Sequence, residues 1–260
     1  MPLSAILSEL DQLLEPDTFE DYCPNGLQVA PSTLPTEHRV ATVATGVSAQ
    51  AELFEKAAAE DAQLLLVHHG LFWGAGFQTV DATLRRRLKV LLDADVALAA
   101  YHLPLDAHPK LGNNALLAEA LAAERIEPFG AHRGRTIGFL ADLPGGGLPL
   151  EELAERIRSL TDRRPLILGP GEHAPAVVEK LAIVSGGGSD YLEQAAAAGA
   201  QALLTGEPAE KAVAPARELG VHLIAAGHYA TETFGVKALG EHLAAHFGLR
   251  HVFIDIPNPV

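Results

Sequence analysis

The sequence predicts an α/β fold built from two similar units, with mostly parallel sheets covered by helices. Three observations predict it. Short apolar runs alternate with helical periodicities through most of the chain. A pattern of strand, alanine-containing helix and strand occurs twice, once in each half. The 260 residues, 48% hydrophobic and 20% charged, suffice for one large or two ordinary cores.

The elements follow in order. Leu3, Ile6, Leu7, Leu10, Leu13 and Leu14 recur at helical spacing, with Ser4 near the start. Asp21 to Val29 holds Pro24 and Asn25-Gly26 and reads as turn chemistry. A strand over 39–45, a helix over 49–60 and a strand over 64–69 come next, then a helix at 81–93 and a strand at 96–101. The middle reads as strand 135–141, a Pro144-Gly-Gly-Gly loop, helix 150–160, strand 164–168 and a break at Gly169-Pro-Gly171. Strand 177–185, helix 190–198, strand 202–205, helix 209–219, strand 221–226, helix 231–246 and strand 251–256 complete the chain. The expected domains are 1–127 and 128–260, with the final strand able to pair across the boundary.

The two halves align by element order. Ala62-Gln63-Leu64-Leu65 answers Ala200-Gln201-Ala202-Leu203, and Ala100-Tyr101-His102 answers Ala226-Gly227-His228. Four residues after each of these histidines stands a carboxylate, Asp106 and Glu232. Glu232 is expected in the first turn of a helix, and Asp106 on a loop because Pro104 interrupts helix continuation.

Several function classes are disfavoured at this level. A formal net charge of −14 argues against a protein that binds nucleic acid by neutralising phosphates. Arg85 to Arg87 reads as a solvated helix face. One cysteine, Cys23, excludes an intrachain disulfide and a Cys-based zinc or iron–sulfur site. With no Lys or Arg before Arg39 and no apolar run of membrane length, the expected location is the cytoplasm, without a membrane partner.

The chemistry concentrates at His68 and His69. They close the apolar run Leu64 to Val67 and precede Gly70, at the carboxyl end of a strand, where open α/β sheets place ligands. Imidazole with carboxylate and no thiolate suits zinc, manganese, iron or nickel. Two such ions activate water and stabilise a developing oxyanion, which is hydrolytic chemistry; a structural site would normally be closed and four-coordinate. No GxxxxGK[ST] phosphate loop is present. Thr45 to Ser48 and Gly186 to Ser189 read as strand-to-helix turns with Ser48 and Ser189 as N-caps, or as amides for an anion. Arg133 and Arg135 are candidate phosphate partners or surface ion pairs.

Pro24-Asn-Gly-Leu-Gln-Val29, Val67-His-His-Gly70, His102-Leu-Pro-Leu-Asp-Ala-His-Pro109 with Gly112-Asn-Asn-Ala115, Gly134-Arg135 and Gly227-His-Tyr-Ala-Thr-Glu232 run nearly end to end. On these motifs the sequence resembles the Nif-three-like family, GTP cyclohydrolase type-two-like dinuclear metal proteins. The resemblance implies His68, His69, Asp106, His228 and Glu232 as ligands of two divalent metal ions at an interface between the units. It implies His102 as an active-site neighbour that orients Asp106 or exchanges protons with a bound water, against a packing role, with His108 a weaker candidate. It further implies a toroidal homohexamer and hydrolysis of a nucleotide or related small molecule, with opening of the guanine imidazole ring of GTP by a metal-bound hydroxide as the specific form. The alternatives are a non-catalytic metal-binding regulatory or interaction protein and, disfavoured by charge, a nucleic-acid-binding toroid.

Overall fold

The computed structural model describes residues 1–74, 79–169 and 175–260. Helix α1 (Leu3–Leu14) leads through β1 (Gly26–Val29) to β2 (Thr42–Ser48), α2 (Ala51–Ala59), β3 (Leu64–His69), α3 (Ala82–Asp93), β4 (Ala97–Ala100) and the one-turn α4 (Leu103–Asp106). There follow α5 (Asn113–Ala120), β5 (Arg125–His132), β6 (Arg135–Asp142), β7 (Leu148–Pro149), α6 (Leu150–Thr161), β8 (Leu166–Leu168) and β9 (Val177–Val178). The chain ends with β10 (Lys180–Ile183), α7 (Leu192–Ala197), β11 (Ala202–Thr205), α8 (Val213–Leu219), β12 (His222–Ala225), α9 (His228–Thr231), α10 (Thr233–Phe247) and β13 (Arg250–Phe253). Among the described residues no helix is long and apolar enough to cross a membrane.

The chain packs as two compact units. The first comprises Met1–Leu105 and Gly235–Pro257, the second Asp106–Phe234 and Asn258–Val260. The motif-based division at 127/128 follows chain order, whereas packing returns most of α10 and β13 to the first unit.

In the first unit the strand order is β1-β4-β3-β2-β13. The last four strands of that order run parallel, and β1 is an antiparallel edge. Five of the six β3 residues are buried, as expected of a strand covered on both faces. Leu53, Phe54 and Ala57 of α2 and Leu91 of α3 join Leu65, Val67, Leu98 and Ala100 in one core. Leu3, Ile6, Leu10 and Leu14 form the buried stripe of α1.

In the second unit the order is β5-β6-β10-β11-β12-β8. Its centre, β10-β11-β12, is parallel, and antiparallel strands flank it on both sides. The hairpin joining β5 and β6 pairs His132 with Arg135, and Arg133 (φ 44°) and Gly134 (φ 87°) both take the positive φ that a two-residue turn of this hand requires. Leu153 and Ile157 of α6 and Leu117 and Ala118 of α5 pack with Leu181, Ile183, Leu204 and Ile224.

Several local expectations are corrected. Gly26 to Val29 leaves the turn and forms β1, and β5 and α5 appear where none was expected. Pro104 does not prevent a helix, because it occupies the second position of α4, where its missing N–H costs nothing; Asp106 is that helix's last residue. The strand expected over 177–185 is interrupted at Glu179, and the helix over 231–246 at Glu232. Gly169 is described, but Pro170 and Gly171 lie outside the described residues.

Candidate metal centre

In the first unit three imidazoles gather at the ends of β3 and β4. His68 is fully buried, and its Nδ1 lies 3.1 Å from the Tyr101 carbonyl. A carbonyl only accepts, so the proton sits on Nδ1 and Nε2 carries the lone pair a metal needs. His69 meets Ser48 Oγ through Nδ1 at 2.9 Å. His102 meets Asp21 Oδ1 through Nδ1 at 2.7 Å. Ring centroids are 4.8 Å apart for His68 and His69, 5.0 Å for His68 and His102, and 5.7 Å for His69 and His102. One nitrogen of each lies within 4.8 Å of the others. Trp73 flanks the group, its ring 5.2 Å from His102 and 5.7 Å from His69.

The segment Asp21 to Gln28 holds this group in place. Asp21 also accepts from the Leu103 N–H, and Asn25 Oδ1 accepts from the His102 N–H. Burial pushes the Asp21 carboxyl up, but the hydrogen bond and charge of His102, with the Asn25 and Leu103 donors, outweigh it and hold the pKa at about 2. Gln28 accepts from the Leu71 N–H at 2.7 Å and donates to the Pro24 carbonyl. It packs so closely on Gly70 that a Cβ there would sit 2.2 Å from Gln28 Nε2. That contact explains a glycine directly after the two histidines.

The second unit carries the carboxylates. Asp106, 6% exposed, accepts from Asn113 Nδ2 at 2.9 Å and from Ser185 Oγ at 3.2 Å. Asn114 ties the Ile137 carbonyl to the Ser185 N–H, which accounts for the paired asparagines. Glu232, 3% exposed, stands between α9 and α10, not within a first turn, and one of its oxygens lies within 4.8 Å of one of Asp106. His228 opens α9; its Nδ1 meets Glu207 Oε1 at 2.5 Å and its Nε2 lies 3.2 Å from Glu232 Oε2. Burial lowers the His228 pKa, yet Glu232 and Glu207 together raise it to about 9. Gly186 (φ 60°) is required here, since a Cβ would fall 2.1 Å from Glu232 Oε1. At Gly206 a Cβ would lie 2.6 Å from the His228 Cα.

A common construction runs through both units. Each of His68, His69, His102 and His228 is held through Nδ1 by an oxygen, and at His68 and His102 that oxygen, a carbonyl and a carboxylate, only accepts, which puts the proton on Nδ1. The donor set, imidazole nitrogens with buried carboxylate oxygens and no thiolate, fits divalent zinc, iron, manganese or nickel. These groups can hold metal ions.

Other expectations resolve differently. Ser48 orients His69, and α2 is not capped by it; its N-cap residue is Gln50. Ser189 donates to the Glu207 carbonyl. The amides of Ser185, Gly186 and Gly188 already donate to Asn114, Thr231 and Thr205, so the glycine run is no ready anion nest. His108 Nδ1 accepts from the Lys110 and Leu111 amides and closes its own turn. Arg85 and Arg86 are exposed on α3. Sequence reasoning missed Asp21, Asn25, Asn113 and Glu207 as supporting groups; the first three stand in motifs it quoted, and Glu207 follows the β11 end as His69 ends β3.

The chain matches known proteins over its full length. The profile of the Duf34/NIF3 (NGG1p interacting factor 3) family matches residues 1–259. A Pseudomonas aeruginosa protein named GTP cyclohydrolase 1 type 2 homolog is 42% identical over 257 residues, covering 99% of this chain and 98% of that one. A solved structure described as protein ybgI, of unknown function, superposes with a TM-score of 0.91 at 38% identity, covering both chains completely. The structure of TTHA1606 from Thermus thermophilus gives 0.88 at 37%, again with complete coverage of both.

Proposed function

The chain belongs to the Duf34/NIF3 family, and from that premise we propose a dinuclear metal-dependent hydrolase acting on a nucleotide or related small molecule. His68 and His69 from the first unit, with Asp106, His228 and Glu232 from the second, hold two divalent ions. The observation that carries this reading is that each of these three histidines is oriented through Nδ1 by an oxygen, the outer support that metal-ligating imidazoles take, beside the buried carboxylates Asp106 and Glu232. When bound, the ions supply Lewis acidity and a water acidified to near neutral pH.

The chain's own residues do the rest. Asn113 and Ser185 orient Asp106, and Glu207 makes His228 a stronger donor. His102, its proton fixed on Nδ1 by Asp21, offers a basic Nε2 that takes a proton from water and returns it to the leaving nitrogen or oxygen. Trp73 presents an aromatic surface beside it, suited to stack a base and exclude water. The relatives' printed name makes GTP ring opening the first substrate to try. This reading also takes the protein as a cytoplasmic homohexameric ring, which light scattering on the purified protein checks.

The test is elemental analysis of gently purified protein, coupled to a nucleotide-hydrolysis screen with zinc, iron, manganese and nickel. Metal-dependent product formation, abolished in Asp106→Ala with the oligomer intact, is the expected result. Bound metal with no turnover on a broad nucleotide, phosphoester and amide panel leaves a non-catalytic metal-binding protein. No bound metal and no metal-dependent thermal shift removes the proposal.

A further inference from the structure

Outside the strand ends, the first unit carries a second cluster of ligating side chains. His242 and His246 lie one turn apart on α10, on the same face of the helix. Their rings stack with centroids 5.7 Å apart and an interplanar angle of 30°. Glu9, in the middle of α1, reaches both: its Oε1 is 2.9 Å from His242 Nε2, and its Oε2 is 3.9 Å from His246 Nε2. One ligand atom from each residue falls within 4.8 Å of the other two.

We infer that Glu9, His242 and His246 form a separate mononuclear site for a divalent transition-metal ion, clamping α1 to α10. Tetrahedral coordination with metal–nitrogen bonds of about 2.0–2.1 Å places neighbouring ligand atoms about 3.3 Å apart. The 2.9 and 3.9 Å separations run to the two different oxygens of Glu9, and with one ligand atom of each residue already within 4.8 Å of the others, rotation of these partly exposed side chains brings them to that spacing. The two imidazoles project from a preformed helix, so little chain order is lost on binding. Side-chain exposures of 28% for His242 and 49% for His246 leave the remaining coordination positions open to water. The chemistry selects zinc, copper, nickel or cobalt over magnesium or calcium, which require mainly oxygen ligands. An ion pair between Glu9 and His242 alone gives no role to the second imidazole one turn on.

The experiment uses full-length protein stripped by chelator dialysis and titrated with Co²⁺ and with Zn²⁺, bound metal being counted by elemental analysis. His242→Gln and His246→Gln each lose one equivalent per chain relative to wild type. Asp106→Ala retains that equivalent, which separates this site from the dinuclear one proposed above. Unchanged stoichiometry in both His variants overturns the inference. A second measurement needs no variant: Zn²⁺ protects His242 and His246 of the wild type from carbethoxylation, mapped by mass spectrometry. Equal labelling with and without Zn²⁺ overturns it as well.

Discussion

The two units share a frame and differ in what they mount on it. In the first, Gln63 Oε1 accepts from the Ala41 and Thr42 amides, while its backbone bonds Thr42 and Ala97. In the second, Gln201 Oε1 accepts from the Glu179 and Lys180 amides, while its backbone bonds Lys180 and His222. Each glutamine satisfies amides at the start of one strand and fixes the register of two more. By that register Val67-His68-His69 corresponds to Thr205-Gly206-Glu207, so the same strand end carries imidazoles in one unit and a glycine with a carboxylate in the other. The sequence alignment of Gln63 with Gln201 holds in this register, and at the next strand it shifts by one residue. His102 corresponds to Gly227, and His228 to Leu103. Gly227 takes φ 101° before α9 starts, so His228 becomes the first helical residue, whereas His102 precedes α4.

The comparison can be broken most severely at the glycines. Gly186→Ala in the second unit drives a methyl against Glu232 at a positive φ. It is expected to weaken metal binding about 100-fold, the upper range for disturbed ligand support. Titration calorimetry reads this, and wild-type affinity in the variant would show that Glu232 is not a ligand. The shared frame is tested by Gln63→Ala and Gln201→Ala. Each leaves two strand amides to find other partners and costs about 1–2 kcal/mol in urea unfolding. Markedly unequal losses would mean that the two glutamines do not play equivalent parts.

Smaller effects sharpen the contrast in how each unit holds its histidine. Asp21→Asn removes the charge that fixes His102. The expected result is a roughly tenfold fall in kcat with metal content unchanged, and an altered pH profile separates a proton-transfer role from simple packing. In the metal-free protein, the raised pKa of His228, about 9 against 6.5 when unfolded, makes a stability contribution. It is full below pH 6.5 and fades as pH rises through 9. His228→Gln flattens that part of the stability curve measured by chemical denaturation, and an unchanged curve means that Glu207 and Glu232 do not hold the charge.

Much of the frame was legible because apolar periodicity is local. The helices at 3–14 and 150–161 and the strands at 64–69 and 202–205 follow from residues within one element. The antiparallel additions were harder. β1 pairs with β4 across about seventy residues of chain, and a stretch carrying Pro24 and Asn25-Gly26 looks like a turn until that partner is known. The helix break at Glu232 escaped notice because the apolar pattern continues through it.

The candidate ligands could be named from the chain alone, since paired histidines after a buried strand, and a carboxylate four residues past a histidine, are properties of neighbouring residues. Their supports could not. Asp21 lies 81 residues from His102, and Ser185 lies 79 from Asp106. The orientation of each imidazole is set by whichever oxygen reaches its Nδ1, and folding alone chooses that oxygen. The same holds for Gly186, whose lack of a side chain has a reason only once Glu232 has been folded against it.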